Sequence, residues 1–209
     1  SISRARSVGY AVATAAGVVS GQSTITGGAG DDTVNITTTA AGLVKLTTAA
    51  TADDISLVTV ETVNVTLSDS GAGQLSLTTF VPTDLETLTV TGVNAGLAAT
   101  MSAAGQTFTV TNGLLGGQVS AIVMGAFAGT VTTGSAVDTI TTASTLNVVS
   151  TGAGNDVIKV VAASDGASGA IINAGAGALD VIELSENITG NTTYTLDATR
   201  ITGAEKLTI

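Results

Sequence analysis

The chain has 209 residues, enough for one sizeable domain or two small ones, and 44% are hydrophobic although only 2% are aromatic. Sixteen acidic residues against six basic ones give a net charge of −10, which excludes a clustered basic surface for nucleic acid. With no His and no Cys, imidazole triads, typical zinc sites, thiolate metal sites and disulfides are excluded as well.

Residues 1–22 carry the poorest strand pattern. Arg4 and Arg6 precede a weakly apolar run from Val8 to Val19 that loosely resembles a signal peptide, but the run is rich in Ala, Gly and Thr. A capping or linking segment is expected there. Mean hydropathy is high at +0.52, yet no uninterrupted apolar stretch of about 18 residues occurs, so no membrane span is expected.

After residue 22, short runs alternate Val, Ile or Leu with polar residues, the signature of half-buried strands. The pattern predicts strands at Val34–Thr38, Leu43–Thr47, Ile55–Val58, Val63–Leu67, Leu75–Thr79, Leu88–Thr91 and Phe108–Thr111. Further strands are predicted at Val119–Val123, Thr130–Thr133, Asp138–Thr142, Leu146–Ser150, Val157–Val161 and Ala170–Asn173. Val181–Leu184, Tyr194–Asp197 and Leu207–Ile209 complete the series. Turn residues punctuate it at intervals of about ten to twelve residues, a rhythm a β-sandwich would share. Asn112–Gly113 and Asp165–Gly166 are the only hairpin-type pairs, and neither lies cleanly between paired runs.

Weak internal repeats favour a coil instead. Gly27–Gly28–Ala29–Gly30–Asp31–Asp32–Thr33–Val34–Asn35 fills the nonapeptide G-G-x-G-x-D-x-U-x, with U a large apolar residue. Its glycines permit a tight turn and expose backbone carbonyls, and its aspartate adds a hard anionic oxygen suited to calcium. Asp32 is the expected side-chain ligand, with the Gly28 and Gly30 carbonyls assisting. Variants recur at Gly152–Ala153–Gly154–Asn155–Asp156, at Gly175–Ala176–Gly177–Ala178–Leu179–Asp180 and, more degraded, at Gly134–Ser135–Ala136–Val137–Asp138. Asp138, Asp156 and Asp180 lie 18 and then 24 residues apart, a plausible length for one turn of a flattened coil. These three carboxylates, with Gly152, Gly154, Gly175 and Gly177, form a second candidate calcium cluster. Asp53–Asp54 is a weaker corner, read as a solvated turn. A separate phrase, E-x-U-x-U, opens runs at Glu61, Glu86 and Glu205.

In combination these phrases resemble the RTX family of calcium-binding β-roll repeats, and in particular RTX-type bacterial surface-layer (S-layer) proteins, over most of residues 23–209. The resemblance implies an all-β fold, a parallel β-solenoid (β-roll- or β-helix-like) with short strands and Gly-Asp corners, spanning 23–209. It implies calcium held between adjacent corners. It also implies an extracellular, cell-surface location and self-association into a lattice, with a cell-surface polysaccharide as a further candidate partner. A segment of a large RTX-type adhesin is the alternative. This chain departs from the family in that its motifs are isolated, lengthened or missing glycines. Leu207–Ile209 stops in mid-strand without a polar cap, so a fragment, or a coil completed by another domain or subunit, is expected.

No enzyme is expected. Two Tyr, three Phe and no Trp leave almost no aromatic platform for sugars, and basic residues are sparse. Thr-x-Thr phrases at Thr87–Thr91, Thr107–Thr111, Thr130–Thr132 and Thr139–Thr141 match an ice-binding signature seen in some β-solenoids. Their irregular spacing along the chain favours ordinary solvated strand faces. The sequons at Asn35, Asn64, Asn187 and Asn191 are of the kind that arises by chance in a threonine-rich chain.

Overall fold

Alternating β-branched and polar residues favour extended backbone with one face buried, and every regular element among the described residues is a strand. The computed structural model describes residues 7–12, 23–38, 44–47, 55–67, 74–77, 84–93, 95–111, 119–124, 128–142, 146–161, 170–185 and 199–208. The strands are β1 (Ser7–Val12), β2 (Ser23–Thr26), β3 (Thr33–Thr38), β4 (Val44–Thr47), β5 (Ile55–Val58), β6 (Thr62–Leu67) and β7 (Gln74–Leu77). There follow β8 (Thr87–Thr91), β9 (Gly96–Thr100), β10 (Thr107–Thr111), β11 (Ala121–Val123), β12 (Gly129–Thr132) and β13 (Thr139–Thr142). The series ends with β14 (Asn147–Ser150), β15 (Val157–Val161), β16 (Ile171–Asn173), β17 (Val181–Ser185), β18 (Ile201–Thr202) and β19 (Lys206–Thr208).

These strands form two sheets in which all pairings are parallel. The nine-stranded sheet runs β1-β3-β6-β8-β10-β12-β14-β16-β18, and the ten-stranded sheet runs β19-β17-β15-β13-β11-β9-β7-β4-β5-β2. From β6 onward successive strands alternate between the sheets, so each circuit of the chain adds one strand to each. Near the start the alternation breaks: β4 and β5 follow one another within the ten-stranded sheet. Within 1–22, the expected capping segment, β1 supplies the terminal strand of the nine-stranded sheet by pairing with β3.

Parallel stacking places like side chains over like. Val34, Val63, Leu88, Phe108, Val131, Val149 and Ile172 are successive register partners, each at most 2% exposed. Facing them, Ala99, Ile122, Ile140, Ile158 and Ile182 form a second buried column in the ten-stranded sheet. Each fully buried Val, Leu, Ile or Phe contributes roughly 1.5–3 kcal/mol, so the core is many small repeated increments.

Outward positions stack with the same regularity. On the nine-stranded sheet Thr33, Thr62, Thr87, Thr107 and Thr130 are register partners. Beside them run Asn35, Asn64, Thr89, Thr109 and Thr132, and then Thr37, Thr66, Thr91 and Thr111. The Asn64 side-chain amide donates to Asn35 Oδ1 at 3.0 Å, an example of this column stacking. The outer face of the ten-stranded sheet differs, for it carries the half-exposed pair Lys159 and Glu183, 3.7 Å apart.

Strands β2, β9 and β18 had no clear counterpart in the sequence pattern. In β9, Gly96–Leu97–Ala98–Ala99–Thr100, alanines occupy both faces, so polarity does not alternate. Its extended form follows from pairing with β7 and β11 on either side. The predicted strand Tyr194–Asp197 and the corner Asp53–Asp54 lie outside the described residues.

Among the described residues Phe108 is the largest fully buried side chain, and it sits mid-column between Leu88 and Val131. Phe108→Ala is expected to destabilise the fold by about 3–5 kcal/mol, and Thr109→Ala, one residue away on the outer face, by no more than about 0.5 kcal/mol. Urea unfolding of the two variants checks the contrast.

Candidate functional site

A short aspartate side chain placed one residue before a strand sits on the inward side, because side chains alternate and the apolar residue two places on is inward. Asp138, Asp156 and Asp180 precede β13, β15 and β17 in this way, and all three are fully buried. Ser120 and Glu205 hold the equivalent positions before β11 and β19.

Each carboxylate reaches back one circuit to a backbone N–H. Ser120 N donates to Asp138 Oδ1 at 2.6 Å, Asp138 N to Asp156 Oδ1 at 2.8 Å and Asp156 N to Asp180 Oδ1 at 2.8 Å. Asp180 N donates to Glu205 Oε2 at 2.7 Å, which ends the series among the described residues. The same device occurs on the nine-stranded sheet, where Asp32 N donates to Glu61 Oε2 at 2.6 Å. At a corner the backbone turns out of the sheet and its N–H would be left without an acceptor, at a cost of about 1–3 kcal/mol when buried. The carboxylate supplies that acceptor, and a hydrogen bond to a charged group is the stronger kind.

Two phrases that look different in the sequence are therefore one. D-x-U-x-U at Asp138, Asp156 and Asp180 and E-x-U-x-U at Glu61 and Glu205 each place a carboxylate that ties a corner to the corner before it. The aspartates are buried and Glu205 is exposed, whereas Glu86 is exposed and stands apart from the set. Gln106, which precedes β10, is a neutral member of this set. Its Oε1 accepts from Ser102 N at 2.8 Å, and its Nε2 donates to the Leu85 carbonyl at 2.8 Å. Sequence reasoning missed Gln106 and Ser120. The signal was a polar residue two places before an inward apolar one, whatever its charge.

The glycines have a packing role. A Cβ on Gly152 would lie 2.0 Å from the Gly134 carbonyl oxygen, and one on Gly177 would lie 1.9 Å from the Gly154 carbonyl oxygen. Successive corners are stacked so closely that only hydrogen fits. Gly154 and Gly175 also have φ of 140° and 87°, and Gly30 has φ of 112°, a region side chains other than hydrogen disfavour. Corner carbonyls are engaged across circuits, with Ala153 N donating to Gly134 O and Ala176 N to Gly152 O. In the first motif, Gly28 uses its N–H rather than its carbonyl, donating to Asp32 Oδ2. Asp31 is exposed.

The second carboxylate oxygens separate the corners. Asp180 Oδ2 accepts from Gly177 N at 3.0 Å. Asp138 Oδ2 and Asp156 Oδ2 are buried without a well-formed hydrogen bond, as are the hydroxyls of Ser120 and Thr133, which lie beside Asp138. Burial pushes Asp138 above the usual carboxylate range, partly offset by the nearby Thr133 hydroxyl and the Ser120 N–H. Burial likewise lifts Asp156 to about 6, against the Asp138 N–H and the Thr151 hydroxyl, with the charges of Asp138 and Asp180 adding to the rise.

A buried carboxylate oxygen calls for a donor, a proton or a cation, and the Ser120 and Thr133 hydroxyls beside Asp138 are donors of the first kind. Among the described residues no group of three or more Asp, Glu, His or Cys side chains converges to hold a metal. Calcium takes six to eight oxygens, many of them from carbonyls and water, and a carbonyl that already accepts one hydrogen bond keeps a second lone pair. A cation at these corners would therefore have to draw on backbone carbonyls and water beside the Asp138 and Asp156 carboxylates.

Asp156→Ala removes the acceptor of the Asp138 N–H and is expected to cost about 1–3 kcal/mol, whereas Asp156→Asn keeps an amide oxygen there and costs less. The folded chain holds the Asp156 proton more firmly than an unfolded chain, whose value is 3.8. In metal-free buffer this contribution to stability is present below pH 3.8 and is lost as the pH rises through about 6. Asp156→Asn is expected to flatten that slope in pH-dependent urea unfolding.

The chain's own geometry has to carry the functional reading, because comparison with family models, curated protein sequences and solved structures finds no match.

Proposed function

We propose that this chain is a parallel β-solenoid that serves as a structural element of an extracellular bacterial surface layer, with calcium-dependent folding and lateral self-assembly. One observation carries this most: buried carboxylates link the successive corners from Ser120 to Asp180, and two consecutive ones, Asp138 and Asp156, each keep a buried oxygen without a hydrogen bond. Asp138 and Asp156 would hold the ion through those oxygens, with carbonyls of the Gly152–Gly154 and Gly175–Gly177 corners. Asp32, with the Gly28–Gly30 corner, is the corresponding ligand at the other end. When bound, the cation supplies positive charge that offsets the repulsion of stacked carboxylates in a chain of net charge −10.

The residues themselves do the rest. The carboxylates fix the axial register of neighbouring corners, the glycines let those corners approach, and the apolar columns keep the two sheets together. Free energy of ion binding then adds to folding free energy, since the paired corners exist only in the folded chain. A role in support rather than catalysis also agrees with the acidic, histidine-free composition.

Far-UV circular dichroism and sedimentation in millimolar calcium, before and after chelation, test the reading. Loss of cooperative folding and of assembly together is the expected result. Indifference of both to chelator and to added calcium would sink it. Electron microscopy of the calcium form separates a surface-layer lattice from the isolated rods of an adhesin segment.

A further inference from the structure

We propose that the outer face of the nine-stranded sheet between β3 and β12 is an ice-binding surface. Along the chain the Thr-x-Thr phrases are irregularly spaced. In the fold that irregularity lies in the connections, and register pairing brings the threonines into columns. The rows Thr87–Thr89–Thr91 and Thr107–Thr109–Thr111 are adjacent and complete, with alternate positions facing out.

Such an array has two fixed repeats. Adjacent strands lie about 4.8 Å apart, and alternate residues along a strand roughly 6.7 Å apart. These are close to the two repeats of water oxygens on the prism face of hexagonal ice. Threonine suits that partner, because its β-branch restricts χ1 and its methyl and hydroxyl groups lie side by side. Packing against equivalent threonines above and below limits the rotamer further, so the hydroxyl grid is set before binding. Rigidity comes from beneath, where Val63, Leu88, Phe108 and Val131 are fully buried.

Charge supplies a second, independent observation. Among the described residues no outward position of β3, β6, β8, β10 or β12 is charged, although the chain holds sixteen acidic residues. The charged pair Lys159 and Glu183 lies on the other sheet. A charged side chain organises its own hydration shell and spoils an ice-like water layer, so a neutral face is what ice requires. The face also lacks outward aromatic rings, which disfavours a crystalline polysaccharide as its partner. Each water-mediated contact is weak, but a rigid grid engages many at once.

The whole chain in calcium-containing buffer is tested for incorporation into slowly growing ice and for inhibition of ice recrystallisation. Thr109→Lys and Thr132→Lys disrupt the face at two positions, and Thr141→Lys places the same charge on the outer face of the ten-stranded sheet. Circular dichroism confirms that each variant is folded, and two face variants guard against a folding defect at one position. The wild type and Thr141→Lys are expected to enter ice and inhibit recrystallisation, with both properties lost in the face variants. Exclusion of the wild type from ice, retention of activity by the folded face variants, or equal loss in Thr141→Lys overturns the proposal. Self-association abolished by Thr109→Lys, in a wild type that ice excludes, would make the face a contact between copies and also overturns it.

Discussion

In a stack of parallel strands every backbone N–H and C=O on an interior circuit must find its partner on the circuit before or after it. Within the strands this is automatic. At the corners it is not, because the backbone leaves the sheet plane while remaining buried. The buried carboxylates of Asp138, Asp156 and Asp180 and the exposed one of Glu205 meet this requirement by accepting the N–H of the preceding corner. Much of the rest depends on it. At Gly152, Gly154, Gly175 and Gly177 a Cβ would strike a carbonyl of the preceding circuit, and the separation between equivalent corners of the ten-stranded sheet varies from 18 to 25 residues without loss of register.

The same device concentrates negative charge inside the molecule. Three carboxylates in successive corners are fully buried, which is costly unless each oxygen is satisfied. Asp180 is satisfied on both sides by backbone donors. Asp138 and Asp156 accept a backbone N–H on one side only, and burial raises their proton affinity. Outside, charge is divided unevenly between the sheets. One outer face bears an ion pair, and the other is neutral and threonine-rich from β3 to β12.

Much of the architecture was legible because a two-residue period survives without context. Leu88–Thr91, Phe108–Thr111 and Val157–Val161 read as strands from alternation alone, and each is one. Strand β9 was not legible, since Ala and Gly on both faces erase the period and only its neighbours hold it extended. The corner motifs were visible as Gly-Asp patterns, but their hydrogen-bonding role was not. A motif states that an aspartate follows a turn. It does not state that the nearest donor belongs to a residue 18 or 24 positions away.

By itself, the amino-acid sequence determined local conformation: which residues extend, which face of each strand is apolar, where the chain turns and where acidic groups enter those turns. These follow from side-chain shape and polarity at neighbouring positions. Only the tertiary structure decided which strands pair and in what register. That depends on contacts between residues one whole circuit apart, with loops of unequal length between them. Register joined Asp138, Asp156, Asp180 and Glu205 into one ladder, buried three of those carboxylates, and turned unevenly spaced threonines into a regular grid.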